Sequence, residues 1–353
     1  MTAPRGDMTA LHVAALRRRL RGLGAQPVHE ERVLRQWARA EPQTQGKRRL
    51  EDFLPLALRA ALPALEAELR ALAVLRADHA GADGSRRLLV GLADGRSVEA
   101  VLLPRGGLCV SSQVGCAVGC VFCMTGIGGL ERQLGSAEIV AQVALARSLR
   151  PVTKVVFMGM GEPAHNLDAV LEAIDLLGSG GGLGHKQLVF STVGDRRAFE
   201  RLPQGRVKPA LALSLHSTKA ALREQLLPRA PRMTPQALVE AADAYARATG
   251  YPVQYQWTLM AGINDTAEEI EGLVRLLAGR YAVLNLIPYN TVDGLALARP
   301  AAERSLAMAR DLHRRGILTK LSQSAGQDVE AGCGQLRARH ERGDRRRIEI
   351  VAA

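Results

Sequence analysis

Short apolar runs alternate with helical segments over the second half of the sequence, and this alternation restricts the fold more than any other feature. Continuous runs rich in Val, Leu, Ile and Phe are typical of strands buried on both faces of a parallel sheet. Their strand-then-helix order predicts an α/β fold with a parallel sheet or barrel. The strand-like runs are VTKVVFMGMG, KQLVFSTVG, PALALSLHS, VQYQWTLMAG, AVLNLIPYN and GILTKLSQS. The helical segments are AEIVAQVALARSL, LDAVLEAIDLLG, PQALVEAADAYARATG, AEEIEGLVRLLAG and ERSLAMARDLHRRG.

Several predicted strands end in polar or glycine-rich residues. These ends read GMGEP, STVG, SLHS, AGIND and PYN. In a parallel barrel the carboxyl ends of the strands share one face, so we expect these segments to converge on a single site.

The first 95 residues have a different pattern. Segments such as HEERVLRQWARA and LPLALRAALPALEAELRALAVL predict amphipathic helices. The segment RRLLVGLADGRSVEAVLLP predicts a hairpin that turns at Ala93, Asp94 and Gly95. We therefore predict a small, mainly helical accessory domain at 1–95, a barrel at 96–320, and a C-terminal segment at 321–353 with Cys333 and a basic tail.

The charge balance indicates a polyanionic partner. Lys and Arg number 47 against 35 Asp and Glu, which gives a formal net charge of +12. Because guanidinium groups pair with phosphates and stack on bases, nucleic acid is the expected partner, contacted by the accessory domain and by Arg345, Arg346 and Arg347 in the tail. An arginine-rich genome is the alternative explanation of the composition.

The chain is expected to be a soluble, cytoplasmic protein. Its 353 residues, 47% of them hydrophobic, suffice for a sizeable core and exclude intrinsic disorder and small disulfide scaffolds. No apolar run is long enough for a membrane span. The basic cluster of MTAPRGDMTALHVAALRRRL follows the short apolar stretch, the reverse of a secretory signal.

Three of the five cysteines lie within eight residues, CAVGCVFC. The spacing of Cys116, Cys120 and Cys123 lets three thiolates bind three irons of a 4Fe–4S cluster and leaves the fourth iron open to a small molecule. A structural zinc is the alternative, although it would need a distant fourth ligand. An odd number of cysteines excludes a fully paired disulfide framework.

The motif resembles the hallmark of the radical S-adenosylmethionine (SAM) superfamily, CxxxCxxC with an aromatic residue, here Phe122, before the last cysteine. GMGEP at 159–163 is similar to the superfamily's glycine-rich SAM contact. In that superfamily the open iron binds SAM, and an electron from the cluster cleaves SAM to a 5′-deoxyadenosyl radical. The resemblance implies a partial (β/α)6 barrel.

A closer resemblance covers about residues 96–336. The segments CVSSQVGCAVGCVFCMTG, VVFMGMGEPAHN, FSTVG, LALSLHS, GIND, NLIPYN and DVEAGCGQL are similar, in order and spacing, to the RlmN/Cfr family of RNA adenine methyltransferases. The family acts on an adenine of 23S ribosomal RNA, in some members also on transfer RNA. It methylates carbon 2, or carbon 8 in a resistance subgroup.

The resemblance also implies roles for the two remaining cysteines. Cys333 would take a methyl group from a first SAM, and a radical from a second SAM would activate it for addition to the base. Cys109 would then attack the sulfur of Cys333, form a disulfide and release methyladenine. Two SAM molecules per turnover and an electron donor such as flavodoxin or ferredoxin are implied.

Further site residues carry over from the family's motifs. Glu99 matches the proton acceptor. The positions that match SAM contacts are Gly161, Glu162, Ser191, Ser214, Leu215, His216 and Asn290. Two departures concern the substrate: Ser322 stands near the place of a family arginine, and the accessory domain matches only around HEERVLRQWAR.

GMGEP favours methylation of carbon 2, whereas Ser217 after SLH favours carbon 8. We expect the protein to be a monomer that acts on RNA and does not associate with a membrane. Two alternatives remain: a non-catalytic, metal-stabilised RNA-binding protein, and a radical SAM enzyme for a small molecule. The second would leave the paired cysteines and the basic charge unexplained.

Overall fold

Strands and helices alternate along most of the chain. The structure, a computed structural model, describes residues 11–46, 49–292, 294–336 and 338. The strands within these residues are β1 (Val74–Ala80), β2 (Arg86–Gly91), β3 (Ser97–Leu102), β4 (Gly107–Cys109), β5 (Gln113–Gly115), β6 (Leu130–Gln133), β7 (Lys154–Phe157), β8 (Leu188–Thr192), β9 (Ala210–Ser214), β10 (Val253–Leu259), β11 (Ala282–Pro288) and β12 (Thr319–Leu321). The α-helices there are α1 (Val13–Gly22), α2 (Pro27–Arg39), α3 (Leu50–Phe53), α4 (Leu56–Ala71), α5 (Ser136–Leu149), α6 (Leu167–Ser179), α7 (Arg196–Arg201), α8 (Ala220–Leu226), α9 (Pro235–Thr249), α10 (Ala267–Leu277) and α11 (Ala302–Arg314).

Ten of these strands form one sheet in the order β1-β2-β3-β4-β7-β8-β9-β10-β11-β12, and β5 pairs with β6 apart from it. The pairs from β1 to β4 are antiparallel, whereas every pair from β4 to β12 is parallel. Each parallel connection contains at least one helix, so six strand–helix units precede β12 in the described part of the chain. Because β1 and β12 are opposite edges, the barrel is partial. The structure confirms the predicted α/β class and partial (β/α)6 barrel.

The parallel strands are buried because both of their faces are covered. All five residues of β8 are buried, as are Tyr255 and Trp257 of β10. The outward face packs on the helices, and the other face lines the lumen. The six predicted strands and five predicted helices of this region are all present.

Capping residues set the bounds of the helices, as α9 illustrates. The Thr234 hydroxyl accepts the N–H of Ala237 at 3.1 Å, and Pro235 occupies the first turn. Gly250 ends the helix at a φ of 69°, a left-handed conformation that favours glycine. No helix among the described residues is long and apolar enough to cross a lipid bilayer.

The N-terminal helices are docked on the outside of the barrel. The N–H of Val13 in α1 donates to the hydroxyl of Ser136 in α5 at 2.8 Å, and Arg147 of α5 donates to the carbonyl of Ala38 at 2.6 Å. The hairpin of β2 and β3 turns at residues 93–95 as predicted and continues the barrel sheet through β4. The predicted domain boundary at 95 therefore falls within this hairpin.

Candidate active site

A cavity of about 360 Å³ extends from the carboxyl ends of the parallel strands into the barrel lumen. Of the five strand-end segments expected to converge, GMGEP, STVG and SLHS contribute to the wall of this cavity, whereas no residue of AGIND or PYN lines it. The predicted site residues that line it are Cys109, Cys116, Cys120, Cys123, Gly161, Glu162, Ser191, Ser214, His216 and Cys333. Glu99, Leu215 and Asn290 are not among its lining residues.

A tight loop presents Cys116, Cys120 and Cys123 to this cavity. It follows β5 and ends in a short 3-10 turn at Met124–Gly126. A Cβ at Gly126 would lie 2.8 Å from the Cα of Gly119, so only glycine permits the loop to fold back so closely.

The surroundings of the three thiols suit iron. Burial is the main cause that raises the pKa of Cys116 to about 12, while backbone N–H groups of Val118 and Gly119 that donate to its sulfur act in the opposite direction. Burial also raises the pKa of Cys120 well above its ordinary value, followed by the charges of Cys123 and Cys116. Three close, buried thiolates repel one another unless a cation lies among them, and bound metal deprotonates thiols. The residues therefore fit a 4Fe–4S cluster.

A single-ion site has a different geometry. Within the described ranges, no three His, Cys, Asp or Glu side chains are arranged so that they could hold one metal ion. A 4Fe–4S cluster is bound differently, since each thiolate takes a separate iron.

Gly161 and Glu162 form the next part of the wall, directly after β7. Gly161 has a φ of 102°, and a Cβ there would lie 2.6 Å from the Cβ of Gln113. The carboxylate of Glu162 accepts the N–H groups of Ala164 and Val193, each at 3.0 Å. Burial is the main cause that raises the pKa of Glu162. A buried carboxylate held in this way is suited to receive an ammonium group.

His216 lines the cavity as a neutral imidazole. Its Nδ1 accepts the backbone N–H of Thr258 at 3.0 Å, which assigns the ring proton to Nε2. Burial, followed by the charge of Arg223, lowers the pKa of His216 to about 3. The ring contacts Phe122 edge to face, with centroids 4.9 Å apart. His216 can therefore donate a hydrogen bond into the cavity without carrying a charge.

Arg223 is a buried cation that the sequence analysis did not select. It lies in α8 and donates to the carbonyl oxygen of Val193, while its Nε has no hydrogen-bond partner in the described structure. Burial lowers its pKa to about 10, and the charges of Cys120 and Glu162 oppose this shift. Arg223 thus supplies positive charge to both the thiol loop and the Glu162 carboxylate. An arginine in a short helix carries no distinguishing sequence signal.

Cys109 and Cys333 come to the same cavity although 224 positions separate them in the sequence. Cys109 ends β4, where it pairs with Val101 and Val156. Burial, followed by the charge of Cys333, raises the pKa of Cys109 to about 12. Both are free thiols, and Cys333 is solvent-accessible. The structure therefore brings together the two thiols for which a disulfide is predicted.

The segment that carries Cys333 is hydrogen-bonded to the thiol loop. The N–H of Met124 donates to the carbonyl of Gly334 at 2.7 Å, and the hydroxyl of Thr125 donates to the carbonyl of Leu336 at 2.6 Å. Gly334 has a φ of 85°, and a Cβ there would lie 2.8 Å from the carbonyl oxygen of Phe122. The position of Cys333 is thus tied to the predicted cluster ligands.

The turn between β1 and β2 holds the same segment from the other side. The carboxylate of Asp83 accepts the N–H of Gly326 at 2.9 Å, and that of Asp328 accepts the N–H of Ala82 at 2.8 Å. No sequence pattern indicates these reciprocal contacts.

The side chains of Glu99 and Leu215 do not line the cavity. The carboxylate of Glu99 is fully buried in an ion pair with Arg87 and accepts the N–H of Ala338 at 3.0 Å. The side chain of Leu215 lies in the hydrophobic core, and its N–H donates to the carbonyl of Gln256 at 3.1 Å.

Part of the positive charge of the accessory domain is compensated internally. Arg17 and Arg21 pair with Glu30, and Arg19 pairs with Glu68. The predicted RNA contacts of the C-terminal tail lie outside the described residues: Arg345, Arg346 and Arg347.

Comparison with known proteins identifies the relatives of this chain. The Radical SAM superfamily matches residues 110–277. A probable RNA methyltransferase of Methylibium petroleiphilum is 74% identical over 329 residues, which cover 93% of this chain and 93% of that protein. Another from Pseudomonas aeruginosa is 64% identical over 330 residues, which cover 93% of this chain and 95% of that protein.

A solved structure of the same architecture is that of a radical SAM methyltransferase from Sphaerobacter thermophilus. It superposes with a TM-score of 0.80 at 34% sequence identity. The match covers 94% of this chain and 98% of that chain, and therefore includes the N-terminal helices as well as the barrel.

Proposed function

Because the chain belongs to the RlmN-like family of radical SAM RNA methyltransferases, we propose that it methylates carbon 2 of an adenine in ribosomal RNA and also acts on transfer RNA. The family implies a 4Fe–4S cluster and SAM as cofactors. We also propose that Cys333 forms a transient covalent link with the adenine base.

The single observation that supports this mechanism is the meeting of two free thiols at the wall of the cavity that the thiol loop also lines. A radical SAM enzyme that uses only its cluster has no need of further cysteines there. A methyl carrier with a second thiol beside it explains both Cys109 and Cys333.

Cys116, Cys120 and Cys123 would hold the cluster, and Glu162 would receive the ammonium group of SAM. Ser191, Ser214 and neutral His216 offer further hydrogen bonds from the cavity wall. When bound, the cluster and SAM supply methyl groups and a 5′-deoxyadenosyl radical.

The chain's own thiols carry the methyl group and release the product. The sulfur of Cys333 holds the methyl carbon through which the base becomes attached. Attack of the Cys109 thiolate on this sulfur forms an S–S bond and breaks the S–CH2 bond, and the carbon left on the base takes a proton to become methyl. Two external thiols then reduce the disulfide by exchange, are themselves oxidised to a disulfide, and restore both cysteines.

Glu99 is proposed to accept the ring proton. Its carboxylate is held by Arg87 and by the N–H of Ala338, so access to a base requires Ala338 to move. Replacement of Glu99 by Gln should leave methylation of Cys333 intact and slow RNA methylation.

The choice of carbon 2 rests on GMGEP at 159–163. Ser217, the residue that favours carbon 8, donates a hydrogen bond from its hydroxyl to Glu269. It is not among the residues that line the cavity.

We further propose two SAM molecules per turnover, flavodoxin or ferredoxin as electron donor, a monomeric enzyme and a cytoplasmic location.

Mass spectrometry of ribosomal and transfer RNA from cells with and without the gene tests the function. Loss of 2-methyladenosine from either RNA on deletion supports the proposal. Loss of 8-methyladenosine instead would assign carbon 8, and unchanged RNA would contradict adenine methylation. A colourless protein that binds zinc and ignores SAM would favour the non-catalytic alternative.

A further inference from the structure

We propose that Lys154 and Lys320 form an RNA phosphate-binding site inside the barrel lumen, at the end away from the thiol loop. The proposal deepens the proposed function and rests on it, since it names the part of the substrate that enters the lumen.

The strand register places both lysines on the lumen side. Lys154 lies two residues before Val156, which lines the cavity, so both side chains project from the same face of β7. Lys320 pairs with Asn285, another lining residue, and directly paired residues share a face of a sheet. Cys109 of β4 pairs with Val156 of β7. Lys154 therefore lies two residues, about 7 Å along the strand, from the position opposite Cys109.

The curvature of the sheet brings the charges of the two lysines within reach of one another. In a flat sheet, strands as far apart in order as β7 and β12 would be separated by roughly 24 Å. Partial burial, followed by the positive charge of Lys320, nevertheless lowers the pKa of Lys154. The curled barrel therefore holds two like charges within electrostatic reach, and an anion between them would relieve their repulsion.

Within the described residues, no acidic group neutralises either ammonium group. The side chains of Lys154 and Lys320 make no ion pair or hydrogen bond there. Both side chains reach solvent. Lys154 and Lys320 are not among the residues that line the cavity, but two exposed cations on the lumen face of the sheet are a ready contact for an incoming anion.

The rest of the lumen matches a nucleotide better than a small carboxylate. Its β10 and β11 side carries the amide groups of Gln254, Gln256 and Asn285, which can bond to base edges. Its β7 to β9 side carries Ser191 and Ser214 near the carboxyl ends of the strands. Towards the other end this side is apolar, with Val156 and Met158 packed against a small buried cluster: Val189, Ala210 and Ala212. An apolar wall, an amide row and paired cations suit a splayed base and its phosphate. The ammonium-accepting group for SAM, Glu162, lies at the opposite end.

The test compares Lys154→Gln, Lys320→Gln and the double variant with the wild-type enzyme. Lys186→Gln is the matched control, because Lys186 is exposed outside the lumen and packs 4.8 Å from the Tyr251 ring. Binding of protein-free ribosomal RNA from cells lacking the gene is measured between about 50 and 200 mM KCl. The double variant should reduce the log–log salt slope by about 0.7, the value for one neutralised phosphate, and each single lumen variant should reduce it by no more than that.

The iron content and the cleavage of SAM without RNA should remain at wild-type levels in all variants. A salt slope that is unchanged in the double variant, or that falls equally in Lys186→Gln, would overturn the site. A raised KM for SAM would instead assign the lysines to SAM and also overturn it. If the wild-type protein methylates no RNA at all, the proposed function itself fails, which is a separate result.

Discussion

The side-chain amide of Asn290 donates a hydrogen bond of 3.0 Å to the carbonyl oxygen of Cys333. The same nitrogen donates to the hydroxyl of Ser324 at 2.8 Å, and a Cβ at Gly332 would lie 2.7 Å from it. The Oδ1 of Asn290 is buried and has no hydrogen-bond partner in the described residues. Asn290, predicted as a SAM contact, thus holds the segment of Cys333, the proposed methyl carrier.

Replacement of Asn290 by Asp should impair methylation of Cys333. The change removes both N–H donors and places a carboxylate opposite a carbonyl oxygen, which repels it. Loss of a buried hydrogen-bond partner costs about 1–3 kcal/mol, so the equilibrium that favours this position of Cys333 should weaken by roughly fivefold or more. Mass spectrometry of the S-methyl group measures the effect, and iron content serves as the control. Full methylation of Cys333 in this variant would show that the hydrogen bond does not position it.

Single replacement of Cys116, Cys120 or Cys123 by Ala should abolish the visible absorbance of the cluster and the cleavage of SAM together. Each thiolate binds a separate iron, so loss of one exposes the cluster to dissociation. Absorbance after anaerobic reconstitution and the yield of 5′-deoxyadenosine are the measurements. Cys109→Ala is the matched control and should retain both. Retention of a full cluster by the triple variant would contradict the assignment.

Cys333→Ala and Cys109→Ala should fail at different steps. The first should carry no S-methyl group and no RNA, because it lacks the methyl carrier. The second should accumulate methylated Cys333 and, in cells, a covalent adduct with RNA, because nothing releases the base. Denaturing gels with and without nuclease detect the adduct. Normal turnover by Cys109→Ala without bound RNA would exclude release by disulfide formation.

His216 should make the folded state sensitive to acid. Its pKa of about 3 in the folded protein lies below the ordinary 6.5, so the unfolded chain binds more protons between these values. The free energy of unfolding should therefore fall as the pH drops from about 6.5 towards 3, by up to about 1.4 kcal/mol per pH unit. His216→Asn keeps an acceptor near Thr258 and removes the titration. Denaturant unfolding at several pH values should give this variant the shallower dependence, and an equal dependence would contradict the prediction.

The elements of the barrel could be predicted from the sequence because their apolar patterns are local. Runs such as KQLVFSTVG are long enough to predict buried strands. The spacing of Cys116, Cys120 and Cys123 is enough to predict ligands of a 4Fe–4S cluster. Some strands outside these runs were not predicted. β4 has three residues and follows the glycine-rich turn after the predicted hairpin, and β1, with seven residues, lies in a region predicted as mainly helical.

The sequence by itself determined the order of strands and helices and the ligand spacing of the cysteine loop. Only the tertiary structure decided that the charges of Cys120 and Glu162 act on Arg223, that Asp83 holds Gly326, and that Lys154 and Lys320 share the lumen face of the sheet. Each of these pairs joins residues distant in the chain. Their contact depends on strand register and on the curl of the sheet, which arise from the packing of the whole barrel and leave no pattern in any one segment.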